Sequence, residues 1–265
     1  LKLASAQLTA SSDKMANLKK ACDYVEMAKD AGAEIILFPE MYMSYIPNDS
    51  EIRPAEIAET INGPFVSALA VAAKKNHIYI ICGIYEFFTN EFERAYNTVV
   101  IISNTGEIIG SYRKTHLCDA WNVKESDTFV PGNKPFEVVK TPFGKIGLMI
   151  CYELRFPEIS RQLALQNIDI LFVPAAWYQG ILKEDQWEVL LRARAIENVI
   201  FVCASNQTNN GFTGHSMIID PMGAILTSAA EEECLLITEI DLNRRKRIKK
   251  KVPSVENRRP ELYKH

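Results

Sequence analysis

The chain has 265 residues, 48% of them hydrophobic and 24% charged, with a formal net charge of -3 and a sequence pI near 5.9. That length and apolar content suit one large α/β domain or two modest ones and exclude a disordered chain, while the mild acidity offers no general attraction to nucleic acid or an anionic membrane. No apolar run reaches the length of a membrane span, because Pro39, Pro174 and charged residues interrupt each candidate.

Leu3 to Leu8 reads as a short strand, and Ser11-Ser12-Asp13 offers caps for a helix with apolar residues at Met15, Leu18, Cys22, Val25 and Ala28, closed by Gly32. Ile35-Ile36-Leu37-Phe38 is a buried strand ending at Pro39-Glu40. Gly63-Pro64 opens a helix running to about Asn76. Ile78 to Tyr85 and Asn97 to Ser103 are the next strands, and the turn at Asn104-Thr105-Gly106-Glu107 folds Ile108 to Arg113 back as a hairpin that ends at Lys114.

After an irregular stretch from about Thr115 to Lys134 the pattern starts again. Lys145 to Ile150 is a strand, Pro157 to Gln166 a helix, Ile168 to Val173 a strand ending in Pro174, and Glu184 to Asn198 a helix. Val199 to Ser205 follows as a strand, then His215 to Asp220 and a turn at Pro221-Met222-Gly223. Ala33-Glu34-Ile35-Ile36-Leu37-Phe38-Pro39 parallels Asn167-Ile168-Asp169-Ile170-Leu171-Phe172-Val173-Pro174. Two halves of the same β-α-β-α-β-hairpin order predict a pair of sheets packed face to face with helices outside, a four-layer α-β-β-α sandwich. With no Pro/Gly/Ser-rich linker between the halves, residues 1–265 are expected to form a single domain.

The run Arg244-Arg245-Lys246-Arg247-Ile248-Lys249-Lys250-Lys251 reads as a solvated helix capped by Asp241, with Glu231-Glu232-Glu233 close in sequence, in preference to a nucleic-acid patch. The six cysteines, at 22, 82, 118, 151, 203 and 234, form no C-x-x-C pair and several lie in apolar runs, so they are expected to be reduced and the protein cytoplasmic. No basic-then-apolar leader is present, and because the chain starts at Leu1 without Met a native residue or two is expected upstream. The four histidines have no metal-ligand spacing, and no P-loop, G-x-G-x-x-G or G-x-S-x-G occurs. No cofactor is expected.

Cys151 ends an apolar strand, and Pro157 follows as the first residue of a helix. It therefore stands at a strand-to-helix corner, where unpaired backbone N–H groups favour a thiolate or an oxyanion. The sequence alone leaves it either a nucleophile or a buried structural cysteine. A nucleophilic role needs a base, an oxyanion stabiliser and a proton donor. Glu40, at a strand end, suits the transfer of a proton, with a helix cap as its alternative. Lys114 suits a fixed positive charge, with an exposed strand terminator as its alternative.

Phe38-Pro39-Glu40, Tyr112-Arg113-Lys114-Thr115-His116-Leu117 and Cys151-Tyr152-Glu153-Leu154-Arg155-Phe156-Pro157-Glu158 resemble the three signature blocks of the nitrilase superfamily of carbon–nitrogen hydrolases. The resemblance covers essentially the whole chain and extends to Arg192-Ala193-Arg194-Ala195-Ile196-Glu197-Asn198, Gly214-His215-Ser216 and Arg258-Arg259-Pro260-Glu261-Leu262-Tyr263. It implies the same α-β-β-α fold, with Cys151 as nucleophile, Glu40 as general base and acid, and Lys114 with the Tyr152 N–H as oxyanion stabilisers. It also implies a second glutamate shortly before a Pro-Gly. Glu125 fits that place, and Asp127 competes for it. The Cys block is most similar to Nit-type amidases, which hydrolyse ω-amides of short dicarboxylic acids or related glutathione-derived compounds; N-carbamoyl and nitrile hydrolysis are the family alternatives.

Arg155 either binds a substrate carboxylate through its planar fork or forms a structural ion pair. Tyr42, Trp121 and Trp177 either line the pocket or pack in the core. Around Glu40 the chain departs from many relatives, carrying Met41-Tyr42-Met43-Ser44-Tyr45-Ile46-Pro47 in place of a nearby Gly-Tyr or Pro-Tyr. Outside the family, the rivals are a Cys-His peptidase or acyltransferase using His116 or His215, and a catalytically silent binding protein. The same resemblance implies at least a homodimer, with the tail from about 241 to 265 expected at the subunit interface.

Overall fold

The apolar runs become strands covered on both faces. In the computed structural model, which describes residues 1–47, 50–89, 93–134 and 136–263, the first half contributes β1 (Lys2–Gln7), α1 (Lys14–Asp30), β2 (Ile35–Leu37), α2 (Pro54–Ile57), α3 (Pro64–Asn76), β3 (Tyr79–Phe87), β4 (Ala95–Ile102) and β5 (Ile108–Arg113). A short ribbon of β6 (Asp119–Ala120) and β7 (Val123–Lys124) precedes the second half. That half lays down β8 (Val139–Thr141), β9 (Gly144–Leu148), α4 (Pro157–Leu165), β10 (Ile170–Ala175), α5 (Lys183–Asn198) and β11 (Phe201–Asn206). The ribbon of β12 (Thr208–Asn209) and β13 (Phe212–Thr213) comes next, then β14 (Met217–Ile219), β15 (Ile225–Ser228), β16 (Cys234–Glu239) and α6 (Leu242–Lys251).

The large sheets have the orders β16-β1-β2-β3-β4-β5 and β15-β14-β11-β10-β9-β8. Read from β8, the second repeats the first: an antiparallel edge strand, three parallel strands, then two antiparallel strands. The predicted internal duplication is thus present in the connectivity. Alternate residues of the first sheet divide between two layers. Leu3, Leu37, Ile81 and Val99 pack against the second sheet, in one core with Phe172 and Val202. Ala4, Ile36, Ile80 and Val100 pack under Val25 of α1 and Leu69 of α3. Across the sheet–sheet seam Ser5 Oγ donates to Ala204 O at 2.9 Å and Ser205 Oγ to Ala6 O at 2.6 Å, so β1 and β11 bond reciprocally.

Boundaries move by a residue or two from those expected, and one difference has a clear cause. β10 continues through Pro174 instead of stopping there. Even-numbered residues of β10 bond toward β9, as when Met149 N–H donates to Phe172 O at 3.2 Å, and β9 pairs with β10 only as far as Phe172. The N–H that proline lacks would therefore have had no strand to meet.

Asp241 caps α6 as expected, accepting from Asn243 N–H at 2.9 Å. Of the acidic triplet, Glu233 pairs with Lys20 of α1 at 2.9 Å. Arg245 is buried, bonded to Asp169 at 2.8 Å and to Val199 O at 3.0 Å, and Arg244 pairs with Asp220. Two cations of the run thus dock the helix onto the second half.

Candidate active site

Glu40 is delivered by the strand that ends beside β3. Phe38 N–H donates to Ile81 O at 2.8 Å and Gly83 N–H to Pro39 O at 3.3 Å. A Cβ on Gly83 would lie 2.5 Å from Met41 N and 2.8 Å from Glu40 Cα, so only glycine lets the two backbones pass this closely. The carboxylate is 1% exposed. Its Oε1 accepts from Asn97 Nδ2 at 2.7 Å and Lys114 Nζ at 2.8 Å, and its Oε2 from Ala176 N–H at 2.8 Å.

Lys114 follows the last residue of β5, and its own N–H donates to Asn97 O at 2.9 Å. Its ammonium, 2% exposed, bridges Glu40 and Glu125, the latter at 2.9 Å from Oε2. Glu125 opens a one-turn 3₁₀ helix, Glu125–Asp127. It also accepts from Asn97 Nδ2 at 3.0 Å and from Cys118 N–H at 2.6 Å. Asp127 is exposed and pairs with Lys124 at 2.8 Å. Of the two acids considered for this place, Glu125 is the one that reaches Lys114.

Cys151 begins a 3₁₀ turn, Cys151–Arg155, between β9 and α4, and Pro157 is the first residue of α4. Its φ is 48°, a left-handed conformation that a side chain adopts at a cost of order 1–3 kcal/mol. The first hydrogen bond of the turn runs from Glu153 N–H to Ile150 O at 3.0 Å, so the Tyr152 N–H precedes the bonded ladder. Glu153, fully buried, fastens the corner to the Lys114 segment. It accepts from Ile150 N–H at 2.8 Å on one oxygen, and from Tyr112 Oη at 2.7 Å, Thr115 N–H and Oγ1 at 2.8 Å each and His116 N–H at 3.2 Å on the other.

The charges set the resting protonation. Burial pushes the Cys151 thiol well above its ordinary range, Glu40 pushes it further, and Lys114 and the Ala176 N–H pull against them. Burial also opposes the charge on Lys114, but Glu125 and Glu40 outweigh it and hold its pKa well above the usual lysine value. Burial and Glu40 thus favour the neutral thiol, beside a cation that its two acids hold in place.

Glu40, Lys114, Glu125, Cys151 and Tyr152 line one cavity of about 810 Å³, together with Trp121 and Trp177. Tyr42 does not line it. Its ring is fully buried in the first-half core, stacked on Phe38 at 5.6 Å. Arg155 is absent from the lining as well: its guanidinium lies 4.5 Å from the centre of the Trp121 ring and 4.9 Å from that of Trp177, and it donates to Gln186 Oε1 at 2.8 Å rather than to any carboxylate. His116 lies tilted against the Phe156 ring with centres 4.2 Å apart, and neither it nor His215 lines the cavity. Among the described residues no group of three or more His, Cys, Asp and Glu is arranged to hold a metal, and no helix is long and apolar enough to cross a membrane.

Four participants escaped the sequence reading. Asn97 ties the two carboxylates together from within β4, Ala176 contributes only a backbone N–H, and Gln207 donates to Glu40 O at 2.8 Å. Lys183 lines the cavity. Its one visible signal was a cation at the start of a predicted helix, where the helix dipole disfavours it.

Residues 2–250 match the family model for carbon–nitrogen hydrolases. The deaminated glutathione amidase of Synechocystis is 36% identical over 271 residues, covering 96% of this chain and 97% of that protein. The omega-amidase of Mus musculus is 34% identical over 272 residues, covering 99% and 96%. Among solved structures the Caenorhabditis elegans NitFhit protein superposes with a TM-score of 0.92 at 30% identity, over 99% of this chain and 66% of that one, so this chain spans just under two thirds of that protein. An amidase from Nesterenkonia superposes with a TM-score of 0.83 at 26% identity, over 99% and 95%.

Proposed function

The chain belongs to the carbon–nitrogen hydrolase family and is an amidase, and from that premise we propose that Cys151, Glu40, Lys114 and Glu125 hydrolyse a small carboxylate-bearing amide to acid and ammonia. The observation that carries the reading is the buried ammonium of Lys114 bridging Glu40 and Glu125 in the cavity that Cys151 opens into.

Glu40 takes the thiol proton as Cys151 attacks the amide carbon, and the new oxyanion is met by Lys114 Nζ and the Tyr152 N–H. Glu40 then hands the proton to the departing ammonia, leaving a thioester. A water that gives its proton to Glu40 attacks the thioester, the proton returns to the sulfur and the acid leaves. Glu125 keeps Lys114 aimed at the oxyanion throughout. A neutral resting thiol fits this sequence, because the proton that Glu40 collects is the one the leaving group needs.

The relatives named for deaminated glutathione and for ω-amides support a substrate with a carboxylate at some distance from its amide. Ammonia release from ω-amides of short dicarboxylic acids, N-carbamoyl amino acids and simple nitriles tests this directly. Turnover of the ω-amides that is lost in Cys151→Ala is expected; turnover of nitriles alone would overturn the substrate class.

The protein works as a cytoplasmic homo-oligomer, at least a dimer. Exposed apolar side chains on α5 and near the C-terminus, Val189, Ile196, Leu262 and Tyr263, support an interface there that includes the tail from about 241 to 265. Six unpaired cysteines suit a reducing compartment. A light-scattering mass equal to one chain would contradict the oligomer.

A further inference from the structure

Lys183 occupies a position that stability does not explain. It is the first residue of α5, where the helix dipole repels a cation. Only 8% of it is exposed, yet among the described residues its ammonium has no carboxylate and no hydrogen-bond acceptor. What it has is two aromatic faces, the ring centres of Trp121 at 3.8 Å and Trp177 at 4.7 Å. The same two rings carry Arg155, so two cations share one pair of tryptophans. Burial, and then the neighbouring Arg155, push the Lys183 pKa below its ordinary value. Cation–π contact contributes about 0.5–2 kcal/mol to each such cation, and among the described residues no anion offsets their mutual repulsion.

The two cations are not equivalent. Lys183 lines the cavity that also holds Cys151, whereas Arg155 lies outside its lining with an amino group bonded to Gln186 and its Nε enclosed. The backbone is fixed to suit: Trp177 Nε1 donates to Lys183 O at 2.8 Å, and Trp121 sits with Asn122 in a turn whose φ values are 51° and 63°. The tryptophans thus hold the ammonium while leaving it unpartnered.

We propose that Lys183 is the substrate-binding residue that selects a negatively charged group on the amide, and that Arg155 is a positioning residue that braces the Trp121–Trp177 pair behind it. This rests on the amide hydrolysis proposed above and adds which side chain recognises the charge. A carboxylate placed against Lys183 supplies the missing counter-charge, whereas a neutral amide covers the ammonium without pairing it, which is a penalty as well as a lost attraction.

The test uses succinamate and its neutral isostere succinamide, followed by ammonia release, in the parent protein and in Lys183→Met, Lys183→Arg and Arg155→Lys. The preference for succinamate over succinamide is expected to collapse by about ten- to a hundredfold in Lys183→Met, chiefly through KM, and to return in large part in Lys183→Arg. Arg155→Lys is expected to weaken both substrates while keeping the preference. A preference untouched in Lys183→Met overturns the proposal. Succinate binding, read by tryptophan fluorescence in the same proteins, decides the matter without turnover: affinity that is equal in parent and Lys183→Met overturns the charge recognition even if neither amide is hydrolysed. Absence of hydrolysis alongside Lys183-dependent succinate binding would count against the amide reading alone.

Discussion

Lys114 Nζ and Glu40 Oε1 lie 2.8 Å apart with 2% and 1% of their side chains exposed, and Glu125 completes the set at 2.9 Å. One cation therefore holds two carboxylates that would otherwise repel one another away from water. Lys114→Met removes that cation. It is expected to cost about 3–5 kcal/mol in urea denaturation through the charges left unpaired, and at least about 10²-fold in kcat through the lost oxyanion donor. Adding Glu125→Gln should recover part of the stability and none of the activity. Recovery of activity in the double variant would show that Lys114 acts only as a counter-charge.

The Cys151 thiol is held neutral by burial and by Glu40 against the pull of Lys114. Its alkylation by iodoacetamide is expected to keep rising with pH through about pH 9, past the ordinary thiol range. In Glu40→Gln the second of those two upward influences is gone and Lys114 remains, so the profile should move to lower pH while hydrolysis is lost. A parent profile already flat near neutrality would point to a preformed thiolate.

Glu153 is fully buried. Burial works to raise its pKa, but the donors from His116, Ile150, Tyr112 and Thr115 outweigh burial and lower it. A carboxylate whose pKa is lower in the folded chain than in the unfolded one contributes its full stability above the unfolded value, and loses that contribution as the pH falls through the folded value. Glu153→Gln is expected to cost about 2–3 kcal/mol at neutral pH. The gap between parent and variant in urea denaturation should narrow as the medium is acidified below the usual carboxylate range. A gap independent of pH would mean that shape, and not charge, holds the corner.

Gly83→Ala places a methyl group against Met41 N, Pro39 O and Glu40 Cα. The expected cost is about 1–3 kcal/mol of stability together with about a 10²-fold fall in kcat from a displaced base. The far-ultraviolet circular dichroism should be unaltered. An active Gly83→Ala enzyme would show that Glu40 tolerates displacement of its strand.

Much of this site was legible because its main residues stand at strand ends: Glu40 and Cys151 close apolar runs, and Lys114 follows the last residue of the hairpin strand β5. Strand ends are where the pattern of side chains stops and chemistry begins. The layered fold was legible for a related reason, since strands buried on both faces cannot alternate, and the repeated order of elements implied two matching sheets. The residues that went unseen act across the fold. Asn97 reaches two acids from neighbouring segments, and Ala176 presents a backbone group that any residue type supplies. For Tyr42 the sequence leaves pocket and core both open, because it does not show which way the ring turns. The turn after Glu40 folds its ring back onto Phe38, into the core. Arg155 drew attention by its motif, but the side chain that lines the cavity is Lys183, and only the assembled pair of tryptophans distinguishes them.

The reciprocal bonds of Ser5 with Ala204 and of Ser205 with Ala6 have a consequence for the ownership of the reaction. Glu40, Lys114 and Glu125 come from the part of the chain before β8, while Cys151, Ala176 and Lys183 come from the part after it. On the mechanism proposed above, neither part carries a complete set. The seam fastened by the two serines is therefore an assembly joint within one polypeptide, much as a subunit boundary is in enzymes with shared sites. If the chain were divided in the irregular stretch before β8, activity should belong to the reassociated fragments and to neither alone.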